Sequence, residues 1–213
     1  MKELEKLQVT QYEVIDKLPN PFRFNDGTMV KTPADWRRRR EEIIETAAYL
    51  QYGHMPPKPD FLEIEPLYLG GKDRMNVYRV YTGKREEPIT FQMAIHMPKQ
   101  DGKLPVVIDG DWCWDVMNDR QIAHLFTDRG IILVKFNRCE IVPDIQGIPR
   151  NSIIHRTYPE YDFGAIAAWA WGYSRCVDAV EKLGIADMNN ITFTGLSRGG
   201  KTALLAGFLT NCN

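Results

Sequence analysis

No apolar run in this 213-residue chain approaches the ~20 residues needed for a bilayer-spanning helix, so a helical membrane segment is excluded. An excess of one charge is also missing. The 27 Lys and Arg against 28 Asp and Glu leave a net charge of −1, with no global pull toward nucleic acid or an anionic membrane. Cysteine is sparse: Cys113, Cys139, Cys176 and Cys212 are widely spaced, without a C-x-x-C pair or a histidine-flanked metal pattern. Free thiols and no metal or other cofactor are expected. The first residues carry charge but no apolar stretch of the kind a secretory signal requires, which points to a cytoplasmic protein. Repeats and low-complexity tracts are absent too.

What is present suits a globular α/β protein. Hydrophobic residues make up 44% of the chain, enough for a sizeable core. Residues 1–31 mix charges with Pro19, Pro21 and Gly27 and read as an irregular lead-in; residues 32–213 read as the domain. A helix starts at Thr32, with Pro33 at its first position and Asp35 at capping-box spacing, and runs to Gly53 and the prolines that follow. Strand-like runs over 61–69, 75–81 and 89–96, with glycine turn signals at Gly70 and Gly83, suggest antiparallel strands at a sheet edge. Short, predominantly apolar runs over 104–108, 131–136 and 191–194 suit parallel strands covered on both faces. Helical periodicity separates them. Ile122, Leu125 and Phe126 mark a short helix, and Ile166, Trp169, Tyr173, Val177 and Val180 a long one. Strands giving way to alternating helices and strands make a three-layer αβα arrangement the economical fold, its sheet mostly parallel with an antiparallel N-terminal edge.

The chemistry concentrates at Gly195-Leu196-Ser197-Arg198-Gly199-Gly200-Lys201, between the last strand-like run and a helix-like run over 201–209. This is the G-x-S-x-G pattern of a nucleophile elbow, in which serine is held on a sharp strand-to-helix turn. Serine needs a base to take its proton and donors to stabilise the oxyanion that its attack creates. Backbone amides at the start of the following helix, that of Arg198 included, supply such donors, and the helix dipole favours negative charge there. Gly195 and Gly199 keep side chains out of a turn that brings two backbone segments together. Arg198 and Lys201 place two cations beside the serine, fitting an acidic or strongly polar acyl group. The plain alternative is a strand–helix turn in which Ser197 only caps the helix.

The segment 195–201 resembles the G-C-S-R-x-G-K signature of the glucuronoyl esterases, carbohydrate esterase family 15. The helix over 161–183, the TPADWRRRREEI stretch at 32–43 and FNRCEIVPD at 136–144 are similar to segments of bacterial members. The resemblance implies an α/β-hydrolase that cleaves esters of 4-O-methylglucuronic acid through an acyl-enzyme. It casts Ser197 as nucleophile, Arg198 as part of the oxyanion hole and Lys201 as a donor to sugar hydroxyls, with a uronic-acid-containing carbohydrate ester as partner. Leu196 stands where the family usually has cysteine, which removes a disulfide many members form. The family's acid and histidine follow the elbow, and here they are expected beyond Asn213. The expectation is therefore the front part of an α/β-hydrolase, inactive or nearly so by itself. Alternatives are an acetyl-xylan esterase or related deacetylase on the same fold, and a non-catalytic carbohydrate-binding remnant.

Other candidates are weaker. His54, His96, His124 and His155 precede Ser197, against the Ser–acid–His order of the fold, and surface or structural roles are expected for them. His155, in the long stretch over 141–161, leaves a non-standard pairing with Ser197 as the remaining option. Asp109-Gly110-Asp111-Trp112-Cys113-Trp114 follows the first parallel strand, where an oxyanion-hole amide can arise. Trp112 and Trp114 could stack on a sugar ring there or act as buried anchors. Arg37 to Arg40 are neutralised by Glu41, Glu42 and Glu45 on the same helix and read as a solvated face. Trp169 and Trp171 read as packing.

Overall fold

Capping chemistry starts the first helix of this computed structural model, which describes residues 14–70, 74–114, 120–147 and 149–210. The Thr32 hydroxyl accepts the Asp35 amide at 3.1 Å while the Asp35 carboxylate accepts the Thr32 amide at 3.0 Å. Helix α1 (Pro33–Ala47) starts there and widens into one π turn, Ala48–Tyr52, before Gly53 ends it at φ 76°. Arg37 and Arg38 face solvent. Arg39 instead donates to Glu42 at 2.7 Å, Asn25 at 2.8 Å and the Pro21 carbonyl at 3.2 Å, and so pins the lead-in. The chain divides into two units between His54 and Met55.

The second unit is built on a six-stranded sheet in the order β1-β2-β3-β5-β4-β6. Strands β1 (Phe61–Tyr68), β2 (Met75–Lys84) and β3 (Glu87–His96) form an antiparallel meander. Strands β4 (Leu104–Asp109), β5 (Ile132–Phe136) and β6 (Ala186–Thr194) run parallel, β4 between the other two. β3 joins β5 antiparallel through Met93–Phe136 and Ile95–Val134. The expected antiparallel edge is present. Of the three strands expected to be covered on both faces, β5 is buried throughout, whereas β6 ends the strand order and is half-buried or exposed at all but its first position. The meander's turn differs from the glycine signal: Gly83 stays within β2, paired with Pro88, and the two-residue turn is Arg85-Glu86. At φ 95°, Gly83 bends the strand without ending the ladder.

Helices α2 (Arg120–Thr127), α3 (Ile153–Thr157), α4 (Ala165–Lys182) and α5 (Arg198–Leu209) flank the sheet. All of β5 is buried, as a central parallel strand must be when both faces are covered. Trp169 and Trp171 are packing residues, their indole N–H groups donating to the Val142 carbonyl at 2.7 Å and the Pro57 carbonyl at 3.2 Å. His155 is buried and stacks on Phe163, with ring centroids 5.0 Å apart. Cys113, Cys139 and Cys176 are free thiols; Cys212 lies outside the described residues.

Candidate active site

The parallel strands β4, β5 and β6 end on one side of the sheet, where loops of an open α/β sheet gather functional groups. Ser197 sits between the end of β6 and the start of α5 with φ 55° and ψ −112°. This conformation is strained for any residue with a Cβ and costs about 1–3 kcal/mol, so the surrounding structure must impose it. The plain helix-cap alternative does not require it, and the Ser197 side chain caps nothing in α5. Two close approaches enforce the turn. A Cβ on Gly195 would overlap the Gly199 carbonyl group, and one on Gly199 would overlap the Asp111 carboxylate.

Asp111 is the hidden partner of the elbow. It is fully buried, and its Oδ2 accepts the Leu196 amide at 2.6 Å while Oδ1 accepts Arg138 Nε at 2.8 Å. Arg138 begins a single 3₁₀ turn after β5 and donates from Nη1 to Asp144 Oδ2 at 2.9 Å. Burial works against its charge, but the bonds to Asp111 and Asp144 outweigh that and raise its pKa. Its guanidinium lies 4.1 Å over the Trp169 ring, a cation–π contact in a desolvated place. On the far side, Asp144 Oδ1 meets Arg198 Nη1 at 2.6 Å, as an ion pair with no directed hydrogen bond.

A cavity of about 290 Å³ opens at Ser197, lined by Trp114, Arg138, Asp144, Leu196, Ser197 and Arg198. Trp114, 46% exposed, offers a free aromatic surface to it. Trp112 and Lys201 are not in its lining. Trp112 is half-buried on the loop after β4, and Lys201 is exposed one turn into α5. No histidine lines the cavity among the described residues. Nor does Cys113 compete as a nucleophile, since burial and then the neighbouring Cys139 push its thiol up to about 12. The Arg198 amide is at the first position of α5, where no carbonyl of the helix can reach it, so it is free to meet an oxyanion beside Ser197.

Ser197, Arg198 and Trp114, singled out in the sequence, thus line one cavity; the segment 109–114 was expected there for an oxyanion-hole amide, but the side chains of Asp111, Arg138 and Asp144 were given no part in it. Their signal was positional: each follows the C-terminal end of a parallel strand, the side where such sheets build sites.

The fungal glucuronyl esterase family model matches residues 80–212, more than half of the chain. A 4-O-methyl-glucuronoyl methylesterase from Podospora anserina is 31% identical over 203 residues, covering 92% of this chain and 39% of that protein. Another from Wolfiporia cocos is 30% identical, covering 90% of this chain and 46% of its own length. The chain therefore spans less than half the length of these curated relatives. A solved glucuronoyl esterase of carbohydrate esterase family 15 from Caldicellulosiruptor kristjansonii superposes with a TM-score of 0.73 at 25% identity, over 92% of this chain and 53% of that one. A glucuronoyl esterase mutant from Sporotrichum thermophile, solved with methyl 4-O-methyl-beta-D-glucopyranuronate, gives a TM-score of 0.71 at 25% identity.

Proposed function

We propose a uronate-ester hydrolase, from the premise that the chain belongs to the glucuronoyl esterase family. The observation that carries this reading is the strained Ser197, held at the mouth of the cavity with Arg198 beside it. Ser197 Oγ gives up its proton to a base, which in this chain is solvent, and attacks the ester carbonyl carbon, forming one C–O bond and a tetrahedral oxyanion; the proton is returned to the leaving alcohol when the intermediate collapses. The Arg198 amide and the N-terminus of α5 stabilise that charge. Collapse expels the alcohol and leaves an acyl-enzyme, which water cleaves to free uronate and Ser197. Trp114, in the cavity lining, stacks against the sugar, while Lys201, outside that lining, is assigned only to hydroxyls that project beyond the cavity. Substrate class is taken from the relatives, which are named for 4-O-methyl-glucuronoyl methyl esters.

The described residues supply nucleophile and oxyanion stabilisation, and the cavity lining contains no histidine to act as base. Turnover by this chain is therefore expected at the level of a triad enzyme stripped of its base, about 10³–10⁴-fold above water. Benzyl glucuronate hydrolysis, compared with that of an acetylated xylose, is the test. Turnover of the glucuronate that disappears in Ser197→Ala supports the reading. Turnover indifferent to Ser197, or confined to the acetyl ester, overturns it.

A further inference from the structure

Both chain neighbours of Ser197 are tethered to the same buried cation. Leu196 reaches Arg138 through Asp111, and Arg198 reaches it through Asp144. The result is a row of alternating charge, Asp111, Arg138, Asp144, Arg198, with two groups of each sign. Arg138 is 1% exposed, and the Asp144 side chain 5%. Only Arg198, about half exposed, faces solvent at the cavity.

An unpaired guanidinium beside a nucleophile is a good carboxylate receptor, because its planar fork matches two carboxylate oxygens. In an ester hydrolase that is a liability, since the acid product carries the carboxylate. Here Asp144 already occupies part of that fork. A neutral ester carbonyl can still take a remaining Arg198 N–H. A second carboxylate would be drawn by Arg198 and repelled by Asp144 at short range, in a place only partly reached by water. Arg138 prevents Asp144 from turning away, because it holds the other carboxylate oxygen and is itself clamped between Asp111 and Trp169.

We propose that Asp144 is a specificity-determining residue: by pre-pairing Arg198 it makes the cavity favour a uronate ester over the free uronate acid. The inference rests on the uronate-ester reading above. Its consequence is weak product retention.

Binding of methyl glucuronate and of sodium glucuronate to the 213-residue chain, followed by two-dimensional amide NMR at low ionic strength, tests it. The wild-type chain is expected to bind the ester at least about tenfold more tightly than the acid. Asp144→Asn keeps the size and an acceptor for Arg138 while removing the charge. It is expected to collapse that preference about tenfold or more, chiefly by tightening the acid, and added salt is expected to shrink the difference between the two proteins. A merely structural role for Asp144 would move both ligands together and leave their ratio unchanged, which would overturn the proposal. A wild-type chain that binds the acid as tightly as the ester overturns it without any variant. Failure of both ligands to bind would instead remove the uronate reading on which it stands.

Discussion

The phenol of Tyr173 donates a hydrogen bond to the carbonyl of Thr194, 2.8 Å away, and so ties helix α4 to the last residue of β6. The same oxygen accepts the Gly110 amide at 2.8 Å. One buried side chain thereby joins the ends of two parallel strands, one leading to Ser197 and the other to Asp111. Burial raises the Tyr173 pKa, so the donor proton stays in place through neutral and mildly alkaline pH.

Tyr173→Phe keeps the ring packing and leaves the Gly110 N–H and Thr194 C=O without this partner. A loss of about 1–3 kcal/mol is expected from urea unfolding. The amide signals of residues 195–198 are expected to shift as the elbow loosens.

Two glycines of α5 are expected to respond oppositely to alanine. At Gly199 the new methyl would overlap the Asp111 carboxylate and pull it from the Leu196 amide, with an expected cost of about 1–3 kcal/mol or more. At Gly207 the nearest atom is Phe193 Cδ2 at 3.5 Å, an ordinary contact. There alanine is expected to stabilise the helix by about 0.5–1 kcal/mol. Thermal melts of the two variants check the contrast.

Strain at Ser197 gives a third expectation. Glycine adopts a positive φ freely, so Ser197→Gly is expected to be about 1 kcal/mol more stable than Ser197→Ala, although neither keeps a nucleophile. Equal melting of the two variants would show that the elbow stores no backbone strain.

His155 predicts a pH dependence. Burial, and then the charge of Arg150, lower its pKa below the ordinary 6.5. As pH falls past about 6.5 the unfolded chain takes up a proton that the folded chain still refuses. Stability contributed at higher pH is therefore lost as pH falls from there toward the folded-state pKa. His155→Gln is expected to flatten this part of the profile, measured as the urea midpoint at pH 7.5, 6.5 and 5.5 relative to the wild-type chain.

Local chemistry made much of this protein legible. The Thr32–Asp35 box names a helix start because both partners lie within four residues, and the structure places α1 there. The 3.6-residue apolar rhythm around Trp169 and Tyr173 marked a buried helix, and α4 is buried along most of its length. Gly83 misled about the turn because a positive φ is needed in a bent strand as well as in a tight hairpin. His155 was expected to be structural, and its stacking on Phe163 gives that role a form that no spacing could supply.

By itself the sequence marked most of the elements, their order and the candidate nucleophile, since each depends on residues that are neighbours along the chain; it missed α3 inside the stretch 141–161 and the first half of β6. Only the tertiary structure decided what holds that serine. Asp111, the Arg138–Asp144 segment and Leu196 come from three separate stretches, and the register of β4 against β5 and β6 brings them together. The physical reason is burial: an arginine and two aspartates read as ordinary surface charges in a sequence, and become a fixed ion row only when the sheet closes over them and leaves each other as their available partners.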